Sequence, residues 1–258
     1  MSRAYETREM ALGYLRCRPA LHPLIVKKIQ EDQAWNALVP RALDLGCGSG
    51  LSAAPLAGLA ESVICMDPSF PMLGFCRLSA PSAGPVQGVA EYLPFSSGVF
   101  QLVTAAGSLN YSDLPKACAE IRRVLSPQGV LAIYDFSPGR SFRGSEGLDL
   151  WFDRFARRYP PARDSWLEIS PERLMKEARG LELRAFRPFE MDLTYDRPAY
   201  VDYLMTETSV AAAIQEGEAE EEVRRWLRQS LEEVFPEKPQ RIVFRGYIAY
   251  LIPRRDAP

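Results

Sequence analysis

The chain of 258 residues carries 31 lysines and arginines against 33 aspartates and glutamates, a formal net charge of −2. That balance excludes an overall electrostatic footprint for nucleic acid, and no apolar run approaches the roughly 20 residues of a membrane span. Hydrophobic residues make up 47%, ample for the core of one large domain or two small ones. From the amino end, residues 2–15 and 21–36 read as two helices split by Pro19, the second capped near Pro23. Strand patterns follow near 41–45, 62–66, 84–88, 99–105 and 129–135, with helical patterns near 50–60, 70–78 and 114–125. Such alternation predicts an α/β fold: a parallel sheet with helices on both faces and ligands at the carboxyl ends of its strands. Ser170 and Pro171 open a further helix, and 181–195 and 241–251 read as extended strands.

The run Leu43-Asp44-Leu45-Gly46-Cys47-Gly48-Ser49-Gly50 carries the most chemistry. A short apolar strand enters a turn with glycine at every second position, and a helix is expected behind it. Glycines let the backbone turn sharply and approach a ligand, and a helix N-terminus suits an anion. The spacing is G-x-G-x-G, not the dinucleotide G-x-G-x-x-G. Asp44, two residues before the first glycine, disfavours a pyrophosphate and suits a cationic ligand group. Asp67 ends the second strand some 20 residues on, a position for holding ribose hydroxyls.

Together these segments resemble the class I S-adenosylmethionine (SAM) methyltransferases. The glycine turn resembles their first motif, and Asp67-Pro68-Ser69-Phe70-Pro71-Met72 their second, where Pro68 and Met72 would pack around adenine. Gly88-Val89-Ala90-Glu91-Tyr92-Leu93-Pro94-Phe95 resembles the "G-D-A-E-x-L-P-F" stretch of the ubiquinone/menaquinone type, with Val89 in place of an aspartate that often accepts the adenine amino group. Val99-Phe100-Gln101-Leu102-Val103 resembles "F-D-L-V", with Gln101 replacing an acid that is usually structural. Residues 119–133 match the family's helix, "L-x-P-G-G" turn and fifth strand. Tyr14 to Pro23 resembles the start of trans-aconitate-type methyltransferases, where Arg18 would meet the methionine carboxylate and Tyr14 would wall the transfer channel.

The resemblance implies a Rossmann-like seven-stranded sheet, mostly parallel with an antiparallel last strand, plus helical lid insertions. It implies SAM as cofactor, held by Tyr14, Arg18, Asp44, Gly46, Cys47, Gly48, Gly50, Asp67, Pro68, Met72, Ala90, Glu91 and Ala106. One domain over 1–258 is expected: N-terminal helices in 1–38, the SAM-binding core in 39–136, insertions at 137–169 and 196–236, and the final helix and strands in 170–195 and 237–258.

Both insertions carry aromatics, among them Trp151, Phe155, Tyr159, Tyr200, Tyr203 and Trp226. They are expected to cover the acceptor, although helical spacing at Trp151/Phe155 and Val223/Trp226/Leu227 also fits packing. Arginines cluster in 138–166, where one could clamp a carboxylate or all could line a solvated face.

The cofactor brings an activated methyl, so aligning a nucleophile and excluding water can supply roughly 7–11 kcal/mol of the barrier reduction. A general base is needed only for an acceptor that must lose a proton; the candidates are Asp135, Tyr111 and His22, the single histidine. Ala105-Ala106-Gly107-Ser108 stands where amino-methyltransferases carry [D/N]-P-P-[Y/F/W]. The expected activity is therefore methylation of a small molecule at oxygen or carbon. A protein or RNA acceptor, or an inactive SAM-fold assembly subunit, are the alternatives. Cys17, Cys47, Cys65, Cys76 and Cys118 lack C-x-x-C spacing; no metal site is expected, and reduced thiols in a cytoplasmic protein are. The sequence assigns no oligomeric state.

Overall fold

The computed structural model describes residues 15–145, 147–160 and 168–254. Tyr14, the helix expected over 2–15, Arg163 and Trp166 lie outside these, in whole or in all but the last residue. Five strands follow one another in the expected order. They are β1 (Val39–Leu45), β2 (Ala60–Asp67), β3 (Ala83–Gln87), β4 (Phe100–Ala106) and β5 (Leu125–Phe136). Among them run α1 (His22–Asp32), α2 (Phe70–Ser79) and α3 (Leu114–Val124). Neighbours are parallel in the order β3-β2-β1-β4-β5.

Side-chain alternation along these strands sorts the core into two faces. Leu43, Val103, Leu131 and Ile133 pack with Ile121, Cys118 and Val124 of α3. Ala42, Leu102, Ala132 and Tyr134 pack on the other side with Ile25 and Ile29 of α1. The helix starts follow a rule visible in the residues. Ser69 and Asp113 accept from the backbone N–H three residues on, at Met72 and Lys116, with proline just inside each helix.

The second half adds β6 (Ser141–Phe142), α4 (Gly147–Arg158), α5 (Pro171–Glu177), β7 (Leu181–Tyr195), α6 (Arg197–Leu204), α7 (Thr208–Gln215), α8 (Glu220–Glu232) and β8 (Gln240–Pro253). Strand β8 runs antiparallel between β5 and β7. The sheet has eight strands, not seven. The extra one is β6, and its cause is local. Ser137 N–H still donates to Arg245 O, but Pro138 has no N–H and breaks the ladder. The chain rejoins β8 at Ser141↔Val243 and Phe142↔Ile242.

A second correction concerns 50–60. No α-helix forms there; a turn leads into a 3₁₀ segment, Ala54–Gly58. Pro55 removes a donor and its ring opposes a longer α-helix, while Leu56 and Leu59 supply the buried apolar spacing that imitates one. The helix expected over 21–36 stops at Asp32.

The aromatics of the insertions pack against one another. Trp151 is fully buried, stacks on Phe155 at 5.5 Å and donates its indole N–H to Ser230 Oγ at 3.0 Å, joining α4 to α8. Tyr200 and Tyr203 of α6 are likewise enclosed. The arginines form surface ion pairs: Arg143 with Glu190 and Asp192, Arg154 with Glu233, and Arg158 with Glu218.

Candidate active site

Gly46, Gly48 and Gly50 all take positive φ, at 68°, 54° and 90°. That left-handed backbone is costly for any residue with a Cβ. The turn is pinned from β2, where Met66 O accepts from Gly46 N at 2.7 Å and from Cys47 N at 3.1 Å. A Cβ on Gly50 would strike Ser79 Oγ and Cys76 Sγ, and one on Gly46 would strike the Ser108 side chain. Among the described residues, the only atom within 4 Å of a Cβ on Gly48 would be Met72 Cε, 3.2 Å away. Gly46 and Gly50 are therefore required by packing, whereas Gly48 keeps one side of the turn open next to Met72.

Asp67 closes this cradle. Its carboxylate accepts from Gly48 N–H and from Ser69 N–H, each at 2.8 Å. Burial raises its pKa while those two bonds oppose the rise. Asp44 lies underneath the turn. It is fully buried, with Ser52 Oγ donating at 2.5 Å and Thr104 Oγ1 at 2.7 Å. Burial lifts its carboxyl to about 7. Asp44 thus lies beneath the turn with no exposed oxygen for direct ligand contact. Cys47 is buried within 4.8 Å of the Cys65 and Cys76 sulfurs.

The segment carrying Ala90 and Glu91 is held by α3. Glu91 Oε1 accepts from Asp113 N–H at 2.8 Å, at the start of that helix. Arg123 donates to Leu93 O and Phe95 O while pairing with Glu120, which itself accepts from Leu93 N–H. This clamp was not singled out in the sequence, although both residues lie in the matched helix. Gln101 Oε1 accepts from Arg41 N–H at 3.0 Å, a structural use like that expected of the acid it replaces.

A second group gathers where β4 and β5 end. Asp135 Oδ1 accepts from Phe136 N–H at 2.8 Å and Oδ2 accepts from Asn110 Nδ2 at 3.2 Å. Burial raises its pKa, opposed by these bonds and by the Arg18 charge. A Cβ on Gly107, φ 60°, would stand 3.0 Å from Asp135 Oδ1, next to Ala106. Asn110 is nearly fully buried and its Oδ1 has no partner among the described residues. Nothing in the motifs pointed to Asn110; only its place just past the fourth strand could have.

His22 packs edge-on against Tyr134 and Phe136, and its Nδ1 lies 2.9 Å from Tyr134 Oη. Burial, with the Arg18 charge, lowers its pKa to about 4. Strand alternation sets Tyr134 and Phe136 on the face opposite Asp135, so His22 and Asp135 are not one hydrogen-bonded pair. Arg18 binds Glu207 Oε1 at 3.1 Å and Thr206 O at 3.2 Å, tying the N-terminal segment to the loop between α6 and α7. Tyr111 is half exposed, and its backbone N–H bonds Ser108 O.

Residues 43–133 match the family model described as a methyltransferase domain. The chain is 36% identical to the demethylmenaquinone methyltransferase of Renibacterium salmoninarum over 43% of its own length and 52% of that protein. It is 37% identical to that of Thermus thermophilus over 42% and 52%. The matches span about half the length of these curated relatives. Among solved structures, one assigned as a type II methyltransferase of Anaeromyxobacter dehalogenans aligns over 91% of this chain and 97% of that one, with a TM-score of 0.67 at 24% identity. The Haemonchus contortus phosphoethanolamine N-methyltransferase 2 aligns over 98% and 60%, with a TM-score of 0.59 at 17% identity. These two show the fold alone. The glycine turn and the acid ending β2 thus both fall within the stretch, 43–133, that matches the methyltransferase domain model.

Proposed function

We propose that the protein is a SAM-dependent methyltransferase acting on oxygen or carbon of a small, partly apolar acceptor. The carrying observation is the bond from Gly48 N–H to Asp67, which joins the open glycine turn to the acid that ends β2. In this reading Gly46, Cys47, Gly48 and Gly50 shape the cradle. Asp67 takes the ribose hydroxyls on its remaining lone pairs, and Pro68, Met72 and Ala90 flank the adenine. Glu91, engaged at α3, holds the wall of the site, and Asp44, when it ionises on passing pH 7, acts as a buried countercharge. Arg18 belongs to the segment that in this reading covers the methionine end.

SAM supplies an activated methyl cation equivalent. The residues at the ends of β4 and β5 receive the acceptor, and Asn110 fixes the Asp135 carboxylate there. Asp135 takes the acceptor's proton where there is one to lose, as a desolvated carboxylate with a raised pKa is suited to do. His22 is neutral at pH 7 and orients Tyr134, whereas Tyr111 stands at the rim. The demethylmenaquinone methyltransferases among the relatives support a small acceptor. In this reading the insertions serve as packed helices beside the site, and their buried aromatics are core rather than acceptor walls.

The test is transfer from methyl-labelled SAM into fractionated cell extract. Label in extractable metabolites is expected. Label confined to protein or RNA would overturn the small-molecule reading, and SAM binding with no transfer to any fraction would favour a non-catalytic subunit.

A further inference from the structure

Three cysteines distant in sequence converge behind the glycine turn: Cys47 within it, Cys65 on β2 and Cys76 on α2. All three are buried, none more than 5% exposed. Cys65 Sγ and Cys76 Sγ stand 2.9 Å apart, and all three sulfurs lie within 4.8 Å of one another.

Two chemistries suit three close thiols. A soft metal ion bound at about 2.3 Å from each sulfur holds the sulfurs about 4 Å apart in a trigonal site. It would also leave three thiolates and a divalent cation with net negative charge beside the buried Asp44 and Asp67. A disulfide is neutral and needs only that one pair close from 2.9 Å to about 2.05 Å. Distance and charge both favour the disulfide.

We infer that Cys65 and Cys76 form a dithiol that small hydroperoxides oxidise, with Cys47 as the neighbouring thiol that reports the change to the cofactor turn. Burial by itself makes thiols inert. Here Cys65 Sγ at 2.9 Å, with Cys47 Sγ close by, is placed to donate S–H to Cys76 as it ionises, which marks Cys76 as the attacking sulfur. The Cys76 thiolate attacks the peroxide O–O bond, giving a sulfenic acid and, after protonation, one water. Cys65 then displaces the hydroxyl, forming the S–S bond and a second water. Two thiols and one hydrogen peroxide become one disulfide and two waters, and the only oxidant is the peroxide.

Closing the pair draws α2 towards β2. The end of α2 is coupled to the turn, since Ser79 Oγ donates to Ser49 O and Cys76 Sγ fills the space beside Gly50. Met72, next to Gly48, is on the same helix. Oxidation therefore distorts the cradle and weakens SAM binding; this part rests on the cofactor reading above.

The experiment treats the reduced full-length chain with stoichiometric hydrogen peroxide under native conditions, then alkylates and maps the peptides by mass. The expected product has lost two hydrogens, links Cys65 to Cys76, and is restored by dithiothreitol. Cys118→Ser keeps the link and Cys65→Ser abolishes it. Calorimetry should show SAM affinity at least fivefold weaker after oxidation, recovered on reduction. An unlinked product, a link elsewhere, or an oxidised protein that binds SAM like the reduced one overturns the proposal. A reduced protein that fails to bind SAM refutes the cofactor reading and leaves the mapped link as the measure of this one.

Discussion

Gly48 N–H donates to Asp67 Oδ2 across 2.8 Å, so the acid that ends β2 holds the middle of the glycine turn before any ligand arrives. Removing that carboxylate takes away an anchor as well as a ligand group. Asp67→Ala should weaken SAM by about 1–3 kcal/mol, the scale for losing a charged hydrogen-bond acceptor. It should also lower the unfolding temperature without SAM, because Gly48 N–H and Ser69 N–H lose their partner. Calorimetry and thermal unfolding measure the two effects, and an unchanged dissociation constant would remove Asp67 from the site.

Asp44 makes the apoprotein's stability depend on pH. Its folded pKa of about 7 lies above the ordinary carboxylate value, so the folded state binds the extra proton. Stability from this group is full in acid and lost as pH rises from about 4 to about 7. His22 works in the opposite sense: its folded pKa of about 4 lies below the ordinary 6.5, so stability is lost as pH falls between them. Over pH 4–6.5 the two slopes oppose each other. Asp44→Asn should unmask the histidine slope, with stability rising across that range, as read by urea unfolding at several pH values. It should also flatten any gain in SAM affinity on passing pH 7.

Asp135 is held by Phe136 N–H and Asn110. Asp135→Asn should leave SAM affinity within about twofold and lower turnover by roughly 100-fold for an acceptor that loses a proton. Asn110→Ala should shift the pH profile of turnover, since Asp135 loses a bond that favours its charged form. Turnover unchanged in Asp135→Asn would assign the rate to alignment alone.

Trp151 joins the two insertions through its buried ring and its bond to Ser230. Trp151→Ala should cost about 3–5 kcal/mol, the range for deleting a large buried aromatic, as measured by denaturant unfolding. Excision of α6 should be equally damaging, because Tyr200 and Tyr203 are core.

The parallel half of the fold was legible because its signals are local. Strand patterns, proline-bearing caps at Ser69 and Asp113, and alternating glycines each act within a few residues. The helix expected at 50–60 failed because Pro55 outweighed the spacing of Leu56 and Leu59. Strand β6 was missed because two residues carry no period, and only β8 gives them partners. At the site, the turn and Asp67 were readable from spacing. The burial of Asp44 under Ser52 and Thr104, and the hold of Asn110 on Asp135, depend on residues brought together from separate strands. Arg18 was expected at the methionine end, yet its guanidinium meets Glu207, a contact 189 residues away that no motif encodes.

The central claim is that SAM occupies the turn beside Gly48, and titrating SAM into the native protein and into Gly48→Val tests it most directly. Valine at φ 54° is strained, and its branches enter the side left open next to Met72. Saturable one-to-one binding to the native chain is expected, and none to a Gly48→Val protein that retains its circular dichroism spectrum. Equal affinity in the two proteins would contradict it.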